Sequence, residues 1–264
     1  MKKGDFHVHS PYCPHGSNDS MEEYVRKAIE KGMDYLTFTE HAPFPESFID
    51  PVPNKDSAMS WADVEDYIND GLLLKEKYKH DLQIKVGFEV DFIEGYEKET
   101  TRILDYFGTR IEDSILSVHM LRIGEQYVCI DYSDEEFGRI LSLTNGVDSL
   151  HRLYYQTVKR SILANLGSYK PRRIGHITLV EKFRKKYPAT MDFTTEQDEI
   201  LSLLHKDQLE LDVNSAGFYK EWNENAYPPQ PLINKAKQLG IPLITGSDSH
   251  TACHIGRGFD RISW

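Results

Sequence analysis

Short apolar runs ending on histidine or a carboxylate alternate with amphipathic stretches along the whole chain, and this alternation restricts the fold more than any other feature. The runs are Asp5-Phe6-His7-Val8-His9, Leu36-Thr37-Phe38-Thr39-Glu40-His41, Val86-Gly87-Phe88-Glu89, Leu116-Ser117-Val118-His119, Arg173-Ile174-Gly175-His176 and Leu243 to His250. They imply strands near 5–9, 35–39, 84–89, 114–119, 173–177 and 241–246, with a further one at 210–214. Stripes of apolar residues at helical spacing predict helices over 20–31, 61–79, 96–107, 149–166, 196–206 and 230–239. The first is the clearest: Ser20 and Glu23 form a capping box, and Gly32 stands where a C′ glycine belongs. Strand followed by helix, repeated, calls for parallel pairing with right-handed crossovers. In a closed parallel sheet the carboxyl ends of the strands meet on one rim, where barrel active sites are built. Residues remote in sequence can therefore share one pocket.

At 264 residues the chain buries a sufficient core without staples, and we read it as a single domain over 1–264 with no linker or internal repeat. No apolar run approaches the length of a membrane span. Cys13, Cys129 and Cys253 are an odd set without paired spacing, which fits a reducing, cytoplasmic setting. A net charge of −11 disfavours nucleic acid and favours a small substrate; nothing in the sequence speaks to oligomeric state. Two segments interrupt the alternation. Residues 42–60, with four prolines, leave the rim after His41 as a candidate lid, and residues 120–132 read as a hairpin around Gly124.

The strand-ending residues have the chemistry of metal ligands. His7 and His9 are two apart on a strand, so both rings point to one face and can chelate. Asp248 and His250 repeat that spacing, and His15 follows in a turn rich in Pro, Gly and Ser. Glu89 is an acid in an apolar strand, costly there unless paired or metal-bound. His41, His119 and His176 each close an apolar run. Any one of these alone reads as a hydrogen-bonded core side chain. Seven imidazoles and two carboxylates ending strands together read as a cluster of borderline divalent metals. His80, His151 and His205 end no strand and are structural, while Cys13, Cys253 and His254 read as packing or outer residues of the site.

The ordered motifs His7-Val8-His9, Cys13-Pro14-His15-Gly16, Glu40-His41-Ala42-Pro43, Glu89, Ser117-Val118-His119, Ile174-Gly175-His176 and Gly246-Ser247-Asp248-Ser249-His250 resemble those of the PHP (polymerase and histidinol phosphatase) superfamily, over nearly the whole chain. Within it the chain most resembles the monofunctional histidinol-phosphate phosphatases. The resemblance implies a distorted (β/α)7 TIM-like barrel and three divalent ions, Zn, Fe or Mn. One would be held by His7, His9, Glu89 and Asp248. A second would share Glu89 and add His119 and His176, and a third would take His15, His41 and His250. Glu40 would support His41. Glu89, Asp248 and His250 would carry catalysis, in which a water shared by two ions attacks phosphorus in line.

Phosphate also calls for a cationic clamp. Arg160, in the helix at Tyr154–Leu166, is the first expectation, with Lys182 and Arg184 next. Asp19 or Glu46 could pair a substrate ammonium, and Phe44, Phe48, Phe218, Tyr219 or Trp222 could stack on an imidazole. The leading activity is hydrolysis of L-histidinol phosphate. The alternatives are another phosphoesterase (nucleotide phosphatase, nuclease or phosphotyrosine phosphatase) and a metal-binding regulatory barrel without turnover.

Overall fold

A computed structural model describes residues 3–264. Its first element, β1 (Gly4–Val8), is buried throughout, as a strand with neighbours on both sides and layers on both faces must be. Helix α1 (Met21–Glu30) follows, opened by the expected capping box: the Ser20 N–H donates to Glu23 Oε2 at 2.6 Å and the Glu23 N–H to Ser20 Oγ at 3.4 Å. Gly32 ends the turn after it at φ +63°. Then come β2 (Tyr35–His41), α2 (Val64–Lys77), β3 (Gln83–Asp91), α3 (Glu97–Phe107) and β4 (Ile115–Ser117). The antiparallel hairpin β5 (Met120–Ile123) and β6 (Gln126–Cys129) turns at Gly124, as the sequence indicates. After it stand α4 (Asp134–Leu143), α5 (Val147–Leu163), β7 (Arg173–Ile174), α6 (Thr194–Lys206), β8 (Glu210–Asn214), α7 (Gln230–Gln238) and β9 (Leu243–Gly246).

Among the described residues seven strands form one parallel sheet in the order β1-β2-β3-β4-β7-β8-β9. Its two edges meet: the His9 N–H donates to Ser249 O at 2.9 Å, and the Asp248 N–H donates to His7 O at 2.8 Å. The sheet is thus a nearly closed, distorted seven-stranded barrel, in agreement with the expected fold class. One continuous apolar core joins the strands to the inward faces of the helices. Strands β4 and β7 end earlier than the sequence suggests, leaving His119 and His176 just past the last paired residues; β9 begins later than expected, and Asp248 and His250 follow it on the rim loop. Helix α4 is an element the sequence reading lacks.

The proline-rich segment is anchored rather than loose. Phe48 and Val52 pack with Ile93, Met120 and Cys129 in a satellite cluster between this segment and the hairpin. The Trp61 Nε1–H donates to Phe44 O at 2.8 Å. Among the described residues no helix is long and apolar enough to cross a membrane.

Candidate metal centre and active site

Strand register brings the centre together. Parallel pairing of β2 with β3 sets His41 beside Glu89, and pairing of β3 with β4 sets Asp91 beside Ser117. Glu89 is the hub. Its Oε2 lies 3.3 Å from His7 Nε2, 3.5 Å from His9 Nε2 and 3.3 Å from His41 Nδ1. Its Oε1 accepts from His176 Nε2 at 2.8 Å and from the Ser117 hydroxyl at 2.6 Å, with His119 Nε2 at 3.8 Å. Asp248 Oδ1 lies 3.1 Å from His9 Nε2 and 3.8 Å from His7 Nε2. His15 and His250 approach through their Nε2 atoms, 3.1 Å apart. All nine expected ligands therefore converge.

The far nitrogens of these rings are tied down. His7 Nδ1 donates to Asp212 Oδ2 at 3.0 Å, His9 Nδ1 to Glu40 Oε1 at 3.1 Å and His119 Nδ1 to Asp91 Oδ1 at 2.8 Å. His15 Nδ1 donates to Asp56 O at 2.8 Å, and His250 Nδ1 to Asp248 O at 3.1 Å. Such bonds fix the tautomer, leave Nε2 with a lone pair and aim it at the centre, the usual support of a metal-bound histidine. The inward nitrogens His7 Nε2, His9 Nε2 and His41 Nδ1, with His176 Nδ1, are buried and have no hydrogen-bond partner. Unsatisfied buried polar atoms are costly, and the first three lie 3.3–3.5 Å from Glu89 Oε2. The donor set fits divalent metal ions.

The electrostatics agree. Burial alone would raise the pKa of Glu89, yet His7 and His119 hold it well below the usual carboxylate range. Asp248 is likewise lowered against burial, by the neighbouring His7 and His9 rings. Burial opposes charge on His9 and His119, but their carboxylate partners raise them to about 9 and about 10. Burial and the neighbouring His9 push His41 and His250 well down. Protons on some rings balance the acids, a role that cations can take over.

Backbone geometry serves the same end. Asp248 is held in the left-handed region at φ +52°, with Asn214 Nδ2 donating to its Oδ2 at 3.1 Å. Strain of this kind persists only where the surroundings enforce it. Gly246 is needed because a Cβ there would stand 2.4 Å from His7 Cβ and 2.8 Å from Asp212 Oδ1.

The cluster opens into a cavity of about 500 Å³. Its wall carries Lys182, Lys220 and Arg257, with Asp131 and Tyr132 nearby and Asp56 and Ser57 contributed by the proline-rich segment. Lys182 Nζ donates to Asp131 O at 2.5 Å and Oδ2 at 3.1 Å. Burial would raise Asp131, but Lys182 and His119 keep it ionised. The Lys220 ammonium has no hydrogen bond or ion pair among the described residues, and the charge of Lys182 lowers its pKa, helped by burial. Arg257 lies over the Tyr219 ring at 4.8 Å and donates to His254 Nδ1 at 3.0 Å.

The PHP domain family matches residues 5–216. The histidinol-phosphatase of Bacillus subtilis is 43% identical over 262 residues, 98% of each chain. The chain belongs to the PHP family, among its histidinol-phosphatases. A crystal structure from Listeria monocytogenes, described as that of a candidate histidinol phosphatase, superposes with a TM-score of 0.94 at 37% identity, covering 99% of this chain and 100% of that one. The histidinol phosphate phosphatase of Lactococcus lactis, solved with zinc, L-histidinol and phosphate, shares the fold: TM-score 0.70, 23% identity, 95% of this chain and 87% of that one.

Several expectations change on this PHP scaffold. Arg160 does not line the cavity; it is half-exposed on α5 and bound to Glu94. Arg184 donates to Asn223 O at 3.0 Å and Asp19 accepts from the Ala252 N–H at 2.8 Å, both outside the cavity lining. Lys182 alone of the expected clamp residues reaches the wall. Glu40 holds the ring of His9, touching His41 only through its backbone N–H at 2.9 Å. Glu46, Phe44, Phe48, Phe218, Tyr219 and Trp222 are absent from the cavity lining, and Phe48 is buried in the satellite cluster.

The sequence reading passed over Asp91, Asp131, Asp212, Lys220 and Arg257. Asp212 was within reach, since it is an acid between Leu211 and Val213 in an apolar strand, the signal that singled out Glu89. The two cations carry no local signature. Cys13, expected to be a packing residue, has its Sγ grouped with a nitrogen each of His9, His41 and His250, all within 4.8 Å of one another.

Proposed function

We propose that this chain is a cytoplasmic phosphomonoesterase that hydrolyses L-histidinol phosphate to L-histidinol and inorganic phosphate in histidine synthesis. The observation that carries the reading is the buried ring of partnerless imidazole nitrogens around Glu89, opening onto a wall of three cations in one cavity. Identity along the full length of a Bacillus subtilis histidinol-phosphatase supports the substrate. The nine ligands are enough for three ions of the Zn, Fe or Mn class: His7, His9, Glu89 and Asp248; Glu89, His119 and His176; and His15, His41 and His250. Divalent ions held there supply the Lewis acidity that activates water and neutralises phosphoryl charge.

The chain's own groups supply the rest. Lys182, Lys220 and Arg257 bind the phosphoryl oxygens and turn the ester toward the centre, by charge-assisted hydrogen bonds. Glu89 and Asp248 provide the negative charge that lets cations sit close together, and His250 completes the mouth of the site. Asp131 and Asp56 offer carboxylates for the substrate ammonium, and Tyr132 an aromatic edge for its imidazole. The acidic balance of the chain favours a small phosphoester over nucleic acid.

The test is a phosphoester panel. L-Histidinol phosphate should exceed p-nitrophenyl phosphate and nucleoside monophosphates by at least ~100-fold in kcat/KM, because buried polar groups left unpaired penalise a wrong ligand. A nucleotide, an oligonucleotide or a phosphotyrosyl peptide as the best substrate would overturn the assignment.

A further inference from the structure

Cys13 is the group at the centre that the nine-ligand set leaves unused. It sits in the turn between β1 and α1, where the Cys13 N–H donates to Ser10 O at 3.1 Å and Cys13 O accepts from the Gly16 N–H at 3.0 Å. These two bonds wrap the chain around the side chain, which is 4% exposed. The turn is tight, because a Cβ on Gly16 would stand 3.1 Å from Cys13 Cβ. The thiol is fixed beside His9, His41 and His250, with one donor atom from each of the four residues inside a 4.8 Å group.

One observation besides the thiol itself points to a ligand there. His9 Nε2 and His41 Nδ1 are buried and have no hydrogen-bond partner, so the group holds polar atoms that no hydrogen bond in the chain satisfies. Burial and the charge of Glu40 hold the thiol protonated in the metal-free chain, against the backbone N–H groups of His15 and Gly16. Donors around a tetrahedral zinc lie about 3.3–3.7 Å apart, so closing this group takes movements of about 1 Å or less.

We propose that Cys13 is a thiolate ligand of the ion taken by His41 and His250, giving that position a softer donor set than the other two. Loading then exchanges the thiol proton for the cation: the S–H bond breaks, the metal–sulfur bond forms and the proton leaves to solvent. A soft donor selects for zinc or cobalt over manganese at this one position. The inference rests on the metal centre of the proposed function and adds a ligand to it.

The test uses the whole protein stripped of metal and reloaded with Co(II). The holoprotein should show a near-ultraviolet thiolate-to-cobalt charge-transfer band, lost in Cys13→Ser and kept in Cys129→Ser and Cys253→Ser. Because Cys13→Ser also changes a buried side chain in a tight turn, X-ray absorption on the zinc-loaded wild type provides a reading without a variant: a sulfur shell at about 2.3 Å beside nitrogen and oxygen at about 2.0 Å. Full cobalt or zinc occupancy with only nitrogen and oxygen donors would overturn the role of Cys13 and leave the phosphatase reading standing. Protein that takes up no metal would overturn both.

Discussion

The cationic wall gives the most graded prediction, because its two lysines differ in what they have free. An ammonium carries three donors. Lys182 spends two on Asp131, at 2.5 Å and 3.1 Å, which leaves one for a phosphoryl oxygen. Lys220 has none engaged among the described residues, and Lys182 with burial lowers its pKa, a cost that an arriving phosphate relieves. A hydrogen bond to a charged group contributes about 1.5–3 kcal/mol. One such bond makes Lys182→Met cost about 10- to 100-fold in kcat/KM, while two make Lys220→Met cost about 100- to 10,000-fold. The assay is steady-state phosphate release from L-histidinol phosphate at fixed ionic strength, with metal content measured on the same samples. Metal content should be unchanged in both variants. A larger loss for Lys182→Met than for Lys220→Met, or both variants within about twofold of wild type, would refute the assignment of this wall to phosphate.

Glu89→Gln should lose at least one equivalent of metal and about 1000-fold or more in kcat, the scale for a principal catalytic group; elemental analysis beside kinetics checks both. Arg160→Ala should leave kcat/KM unchanged, since Arg160 is bound to Glu94 outside the cavity; a loss of about 100-fold would return it to the clamp. His151 gives a prediction on stability. Burial lowers its pKa to about 4, so between about pH 6.5 and 4 the unfolded chain binds a proton that the folded one refuses. Its contribution to stability is present above that window and lost as pH falls through it, about 2 kcal/mol between pH 8 and pH 5. Urea titrations of wild type and His151→Phe should therefore converge or cross toward the variant as pH is lowered, and parallel acid limbs would contradict this.

What the sequence disclosed, and what it hid, follows from the range of the forces involved. Eight of the nine proposed ligands could be read because each ends or closely follows an apolar strand, and a parallel barrel turns that position into a place; His15 stands instead in the turn between β1 and α1. Helix α1 could be read because a capping box is local. Helix α4 carries a local signal as well, Ser133 accepting from the Glu136 N–H at 3.1 Å with Phe137 and Ile140 buried behind it, yet it is missing from the helices expected from apolar spacing. Arg160 misled because a lone arginine on a helix looks the same whether it faces solvent or substrate. Lys220 and Arg257 reach the cavity from loops after β8 and β9, so their convergence with Lys182 exists only once the barrel closes. Asp91 was hidden by its role: it serves a histidine that follows another strand, and such a pairing is written in the register rather than in either segment, whereas Asp212, which serves His7, carries the same local signal as Glu89.

The central claim is that the buried imidazoles and carboxylates form one centre for several metal ions. The most direct measurement is elemental analysis of active protein purified without chelator. The account predicts more than two equivalents of transition metal per chain, removed by chelator together with activity and restored with it. One equivalent or none, with turnover of L-histidinol phosphate intact, would contradict it.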